Sequence, residues 1–171
     1  MPDLQLDLPP GPGAGAAGPG LPVGAQAPDF TLRDQFGQSV TLSSFRDRKA
    51  VALVFIPFAF SGVCTGELGG LQARIADFLT FDTEALVVSC DPVYSLRAFA
   101  DRDGLNLPLL SDFWPHGAVA SAYGVLDEAR GCPRRSSYVV GPDGVVRWAV
   151  HNERSQGRDL DAHLAALRAA V

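Results

Sequence analysis

One cysteine stands in a setting that suits chemistry: Pro57-Phe58-Ala59-Phe60-Ser61-Gly62-Val63-Cys64-Thr65-Gly66-Glu67-Leu68, between an apolar run and an amphipathic one. A thiol at such a strand-to-helix junction lies in the first turn of the helix. Backbone N–H groups there lack intrahelical partners, and the macrodipole is positive. Both favour the thiolate, which is the nucleophilic form. Ser61 fits the N-cap, placing Cys64 at the third helical position with the serine hydroxyl in reach of its backbone N–H or its sulfur. Pro57 has no N–H, ends the preceding strand and closes the pocket over the sulfur. Singly, these residues read as core packing, a cap and a strand terminator. Their conjunction as P-x3-S-x2-C after an apolar strand points to a nucleophilic thiol.

The elements that must position this segment follow from hydrophobic patterning. Val51–Phe55 is a continuous apolar run, as for a central buried strand. Leu68, Leu71, Ile75 and Phe78 recur at helical spacing after it. Leu86–Ser89 is the next buried strand. Asp91-Pro92 then reads as a helix start, with Asp91 as N-cap and Pro92 at the first helical position. Val93, Leu96, Phe99 and Ala100 form that helix's apolar stripe, and Gly104 stops it. Short strands are expected at Phe30–Arg33, Ser39–Leu42 and Leu109–Leu110, with a short helix before Gly124. Ser137–Val140 and Val145–Val150 flank Gly141-Pro142-Asp143-Gly144 as a hairpin, and Leu160, Leu164 and Leu167 mark a last helix. This order predicts an α/β domain, a mixed central sheet with helices on both faces, and among known arrangements it resembles a thioredoxin-like fold.

The chain has 171 residues, 47 % of them hydrophobic and 19 % charged, and a net charge of −5, which suits one globular domain. No basic footprint for nucleic acid or an anionic membrane is present. Residues 1–22 are a Pro/Gly/Ala tract expected to be disordered, leaving 23–171 as the domain. Residues 1–24 lack the n- and h-regions of a secretory signal. The longest apolar run, Val51–Phe60, has ten residues, against roughly 20 for a spanning helix. The expectation is a cytoplasmic protein.

The cysteines are three, Cys64, Cys90 and Cys132. An odd number without CxxC argues against a disulfide framework. The spacings match no zinc pattern, and His116, His151 and His163 are scattered. Cys90 reads as core packing, and His116 as a cap for the short helix after Pro115.

The P-x3-S-x2-C segment resembles the hallmark P-x3-[TS]-x2-C of the peroxiredoxin family, matched by Pro57, Ser61 and Cys64. Ala27-Pro28-Asp29-Phe30-Thr31-Leu32 is similar to the family's opening segment. Cys64–Leu68 and Leu109–Val119 resemble the AhpE-type (alkyl hydroperoxide reductase E) subfamily. The resemblance covers the chain from about Val23 onward. It implies a thiol-specific peroxidase with Cys64 as peroxidatic cysteine, needing no cofactor or metal. It also implies a guanidinium partner at the start of a late strand. Arg135-Ser136-Ser137-Tyr138-Val139-Val140 fits that place, and the Tyr-Val-Val register favours Arg135 over Arg134. Glu67 would orient the arginine, although from the residues alone it reads equally as a first-turn acid. The family's usual resolving positions carry no thiol here. The resemblance therefore implies a one-cysteine cycle with an external low-molecular-weight thiol or a thioredoxin- or mycoredoxin-like reductant, and a homodimer or larger ring. Cys132, three residues before Arg135, is the candidate for resolving Cys64 within the chain.

Thiolate formation alone does not explain fast peroxide reduction. A generic thiol of pKa 8.5 is about 3 % ionised at neutral pH. Lowering that pKa to about 6 raises the fraction roughly 30-fold, but the weaker base loses roughly 10- to 18-fold in nucleophilicity. Groups that bind both peroxide oxygens in the transition state must supply the rest. Two rival readings share the fold class: a thiol–disulfide oxidoreductase, disfavoured by the missing CxxC, and a non-catalytic thioredoxin-like binding or holdase module.

Overall fold

The computed structural model describes residues 20–171. The first part of the chain gives β1 (Thr31–Arg33), β2 (Ser39–Thr41), a 3-10 turn at Leu42–Phe45, β3 (Ala50–Phe55), α1 (Gly62–Ala73), α2 (Ile75–Phe78) and β4 (Thr83–Ser89). The second part gives α3 (Val93–Asp103), β5 (Leu109–Ser111), α4 (Ala118–Ala122), β6 (Leu126–Asp127), β7 (Cys132–Pro133), β8 (Ser136–Val140), β9 (Val146–His151) and α5 (Leu160–Ala169). Among the described residues seven strands form one sheet in the order β2-β1-β5-β4-β3-β8-β9, and β6 and β7 form a separate pair. β3, β4 and β5 run parallel, whereas β8 is antiparallel to β3, β9 to β8 and β1 to β5. The mixed sheet and thioredoxin-like arrangement match the expectation from patterning.

β3 is buried along its whole length because both faces of the sheet are covered. Its alternate residues divide the core as strand period demands. Ala50, Ala52 and Val54 pack with Leu68 and Leu71 of α1, Leu96 and Phe99 of α3, and Leu164 and Leu167 of α5. Val51, Leu53 and Phe55 pack instead with Phe30, Val119, Tyr123 and Tyr138 on the opposite face. The parallel run β3–β4–β5 brings the loops after all three strands to one end of the sheet, and Cys64 lies there.

Several local expectations need correction. The helix after β3 is interrupted at Arg74 (φ −113, ψ 20). The apolar spacing from Leu71 to Phe78 carries straight across the break, so periodicity holds no sign of it. Asp91 does not cap α3: the N-cap is Pro92, without a side-chain cap bond, and the Asp91 carboxylate accepts the Ala59 N–H at 2.8 Å. His116 does not cap α4. Its Nε2 lies 2.7 Å from the Gly131 carbonyl, and Asp112 accepts the Val119 and Ala120 N–H groups of that helix at 3.1 and 2.8 Å. Gly104 does stop α3, in the left-handed conformation (φ 64) that glycine adopts without a Cβ clash. The tail expected over residues 1–22 lies, for 1–19, outside the described residues. Leu21 donates its N–H to the Tyr138 hydroxyl at 3.1 Å, so the chain meets the domain by that point.

α5 carries a buried histidine with a consequence for acid stability. His163 Nδ1 lies 2.6 Å from the Asp159 carbonyl and so holds the ring proton, while buried Nε2 has no partner among the described residues. The ring packs edge-on against Trp148 at 4.9 Å. Burial holds its pKa below the ordinary value, and nearby Arg158 pushes the same way. Burial also lowers that of His151. A folded-state pKa below the unfolded value of about 6.5 means that the unfolded chain binds more protons in acid. Stability is then full above pH 6.5 and is lost as the pH falls below it, at up to about 1.4 kcal/mol per pH unit for each histidine. Urea melts from pH 7.5 to 5.5 are expected to show this decline, and His163→Leu to make it shallower. An identical slope in the variant rejects His163 as a source.

Candidate active site

Cys64 is the third residue of α1, with Ser61 as N-cap, and it is fully buried. The helix starts here because Ser61 has extended backbone (φ −68, ψ 146) and its carbonyl accepts the Thr65 N–H at 2.8 Å. Phe60 just before it takes a left-handed conformation (φ 66), which a residue with a Cβ adopts only where its surroundings hold it. The Ser61 hydroxyl does not reach the Cys64 N–H or sulfur as expected. It donates to the Phe58 carbonyl at 3.2 Å, so it closes the loop that precedes the helix. Pro57 is buried in that same loop.

Arg135, the residue the register favoured, lies beside Cys64. Arg135 precedes β8, whose Ser136 pairs with Phe55 of β3, so the arginine emerges beside the end of β3. Its Nη2 donates to Cys64 Sγ at 3.4 Å. Its Nη1 donates to Glu67 Oε2, and its Nε to the Arg154 carbonyl at 3.2 Å. Arg134 turns the other way, donating to the Gly124 carbonyl at 2.8 Å. Glu67 lies one helical turn from Cys64, buried against the arginine.

Arg158 completes the cluster, and sequence reasoning missed it. It lies in the polar stretch before α5, where it looks like one exposed charge among several. Its side chain is fully buried. Nη1 donates to Glu67 Oε2 at 2.6 Å and the backbone N–H to Glu67 Oε1 at 2.9 Å. Nε donates to Ser137 Oγ at 2.9 Å, and Nη2 to the Phe55 carbonyl. Burial lowers its pKa to about 10, with Glu67 opposing the shift, so it is a cation at neutral pH. The only sequence signal was indirect: a buried carboxylate and a reacting anion need more than one cation.

The charges sum accordingly. Two buried guanidiniums and one carboxylate leave a single positive charge in excess. A negative charge on the reacting centre, on sulfur or on a departing oxygen, makes the cluster neutral. Buried ions persist when paired and hydrogen-bonded in this way. The arrangement can hold a sulfur nucleophile while offering N–H donors to a second atom that gains charge.

The other cysteines are buried and free. Burial pushes the thiol of Cys90 up to about 12 and that of Cys132 up to about 11. Cys132 lies in the field of both Cys64 and Cys90. Among the described residues no group of His, Cys, Asp and Glu could hold a metal ion, and no helix is long and apolar enough to cross a membrane.

Comparison with known proteins agrees with this geometry. Residues 23–149 match the model of the AhpC/TSA family. Alkyl hydroperoxide reductase E of Mycobacterium bovis is 46 % identical over 149 residues, covering 87 % of this chain and 97 % of the relative. Peroxiredoxin 2 of Thermoplasma acidophilum is 33 % identical over 153 residues, covering 86 % of this chain and 75 % of the relative. The crystal structure of peroxidoxin BcpB from Mycobacterium tuberculosis superposes with a TM-score of 0.75 at 31 % identity, covering 87 % of this chain and 97 % of that one. The chain therefore belongs to the AhpC/TSA family of peroxiredoxins and is a thiol-dependent peroxidase of the alkyl hydroperoxide reductase E type.

Proposed function

We propose that Cys64 is the peroxidatic cysteine and that it reduces hydrogen peroxide, organic hydroperoxides and peroxynitrite. The observation that carries this reading is the Arg135 Nη2 contact to Cys64 Sγ at 3.4 Å inside a buried, charge-matched cluster. The sulfur anion attacks one peroxide oxygen, the O–O bond breaks, and the other oxygen leaves as hydroxide or alkoxide and takes up a proton, or leaves as nitrite when the substrate is peroxynitrite. Arg135 and the first-turn N–H groups of α1 bond the oxygens more strongly as charge moves onto them. Glu67 orients Arg135. Ser61 and Pro57 shape the loop that bounds the peroxide site.

The product is Cys64 sulfenic acid. One external thiol condenses with it, releasing water, and a second thiol frees Cys64. A low-molecular-weight thiol or a thioredoxin- or mycoredoxin-like protein fills this role in a cytoplasmic setting. The raised pKa of Cys132 supports the external route, because a neutral buried thiol is a poor nucleophile. Phe58, Phe60, Phe113 and Trp114 are each exposed on the loops after β3 and β5, and exposed aromatics there support association as a homodimer.

Stoichiometric hydroperoxide added to fully reduced protein, followed by dimedone and intact mass, tests the cycle. A dimedone adduct on Cys64 alone is expected. A two-hydrogen loss joining Cys64 to Cys132 would keep the peroxidase and make Cys132 the resolving cysteine. No change at Cys64 sinks the reading in favour of a binding module.

A further inference from the structure

Asp91 lies in the loop after β4, and its carboxylate does work that its place in the sequence does not announce. An aspartate directly before a proline and a helix belongs at the N-cap. Here α3 has no side-chain cap bond. Asp91 Oδ2 instead accepts the Ala59 N–H at 2.8 Å and the Ser89 hydroxyl at 2.8 Å. Asp91 is itself held: the Ser111 hydroxyl donates to its carbonyl at 2.7 Å, and its own N–H donates to Ser89 Oγ at 3.2 Å. Residues of the β4–α3 loop and of β5 thus converge on one N–H of the loop that leads into α1.

That loop is where geometry matters most. Ala59 is buried, so its N–H needs a partner, and leaving it without one is costly. The next residue is Phe60, in its left-handed conformation, and the one after is the N-cap of the helix that carries Cys64. A carboxylate bond at Ala59 holds the chain in this unfavourable turn and so sets where the first turn of α1 points. Asp91 makes no bond to Cys64 or to the Arg135–Glu67–Arg158 cluster.

We propose that Asp91 is a positioning residue for peroxide reduction, fixing the Pro57–Ser61 loop and through it the alignment of peroxide against Cys64. The inference rests on Cys64 being the nucleophile. Misplacement of reacting atoms by about 1 Å can cost up to about a hundredfold in rate. Alkylation by iodoacetamide uses the same sulfur but needs no second oxygen held in line, so it separates alignment from general damage.

The test measures single-turnover oxidation by hydroperoxide, followed by tryptophan fluorescence, and iodoacetamide alkylation at the same pH. Asp91→Ala is expected to lose about tenfold in the peroxide rate with no loss in alkylation. Asp91→Asn keeps an acceptor for Ala59 and is expected to recover at least half of the wild-type rate. If Asp91→Ala does not fold, Ser89→Ala, which removes the hydroxyl that orients the carboxylate, is expected to lower the peroxide-to-iodoacetamide ratio about threefold. A peroxide rate within twofold of wild type in Asp91→Ala, an equal fall in both reactions, no recovery in Asp91→Asn, or an unchanged ratio in Ser89→Ala overturns the proposal. A wild type reactive towards peroxide alongside an equally reactive Asp91→Ala rejects the role of Asp91 alone, whereas an unreactive wild type rejects both readings.

Discussion

Arg135→Ala is expected to slow oxidation of Cys64 by hydroperoxide by about 10²- to 10³-fold, the usual loss when one preorganised donor to a developing oxyanion is removed. The side chain is buried and its Nη2 is the donor on Cys64 Sγ, so water cannot readily replace it. A change in thiolate fraction accounts for only a small part of such a loss, because a more basic thiolate is also a better nucleophile. The deficit should therefore persist on the alkaline plateau, where the sulfur is fully ionised. Second-order rate constants between pH 5 and 10 decide the matter. A variant whose rate rejoins wild type at high pH would reduce Arg135 to a counter-ion. The fold should survive the change, because Glu67 retains Arg158 at 2.6 Å and its N–H at 2.9 Å. Arg135→Lys is expected to recover only part of the rate, since a single ammonium cannot reach Glu67 and the sulfur in the planar geometry of a guanidinium.

The parts of this site that were legible in the sequence are those joined by local order. Pro57, Ser61 and Cys64 sit on one loop and one helical turn, so their spacing carries their geometry. β3 announced itself as an unbroken apolar run because both of its faces are covered. Arg135 was placed only through resemblance, since 71 residues separate it from Cys64 and no local pattern links them. Arg158 and Asp91 were not legible as site residues for the same reason carried further. Asp91 has a perfectly good local role as a cap, and only the fold shows that Ala59 takes its carboxylate. The Ser61 hydroxyl erred in the other direction: the cap position was right, but the left-handed Phe60 turns the loop so that the Phe58 carbonyl becomes its partner. The β6–β7 ribbon, two residues on each strand, is too short for any alternation to register.

Arg158→Met is expected to be the most destabilising single change at the site, by about 2–5 kcal/mol, because two buried groups lose their charged donor at about 1–3 kcal/mol each. Methionine fills much of the same volume, so the loss measures bonds more than a cavity. Without the guanidinium, the Phe55 carbonyl and the Ser137 hydroxyl lose a donor, and Glu67 keeps one cation instead of two. In a chain of this size the deficit corresponds to a fall in melting temperature of roughly 10 °C. Activity should suffer separately. Glu67 is the hinge between the two guanidiniums, so once Arg158 is gone the carboxylate can follow Arg135 and no longer fixes it against Sγ. The peroxide rate, measured well below the melting transition, is expected to fall about tenfold, less than for loss of Arg135 itself because the donor is still present. Arg158→Lys preserves the charge but cannot reach Glu67, Ser137 and Phe55 together, and should lie between the two proteins in both measurements. A thermal melt of Arg158→Met within 2 °C of wild type would show that the buried cation is not what holds the β9–α5 segment to the end of the sheet. A normal melting temperature with a tenfold slower reaction would assign Arg158 to alignment alone. Loss of both ties the stability of this corner of the fold to the placement of Arg135, as the shared Glu67 requires.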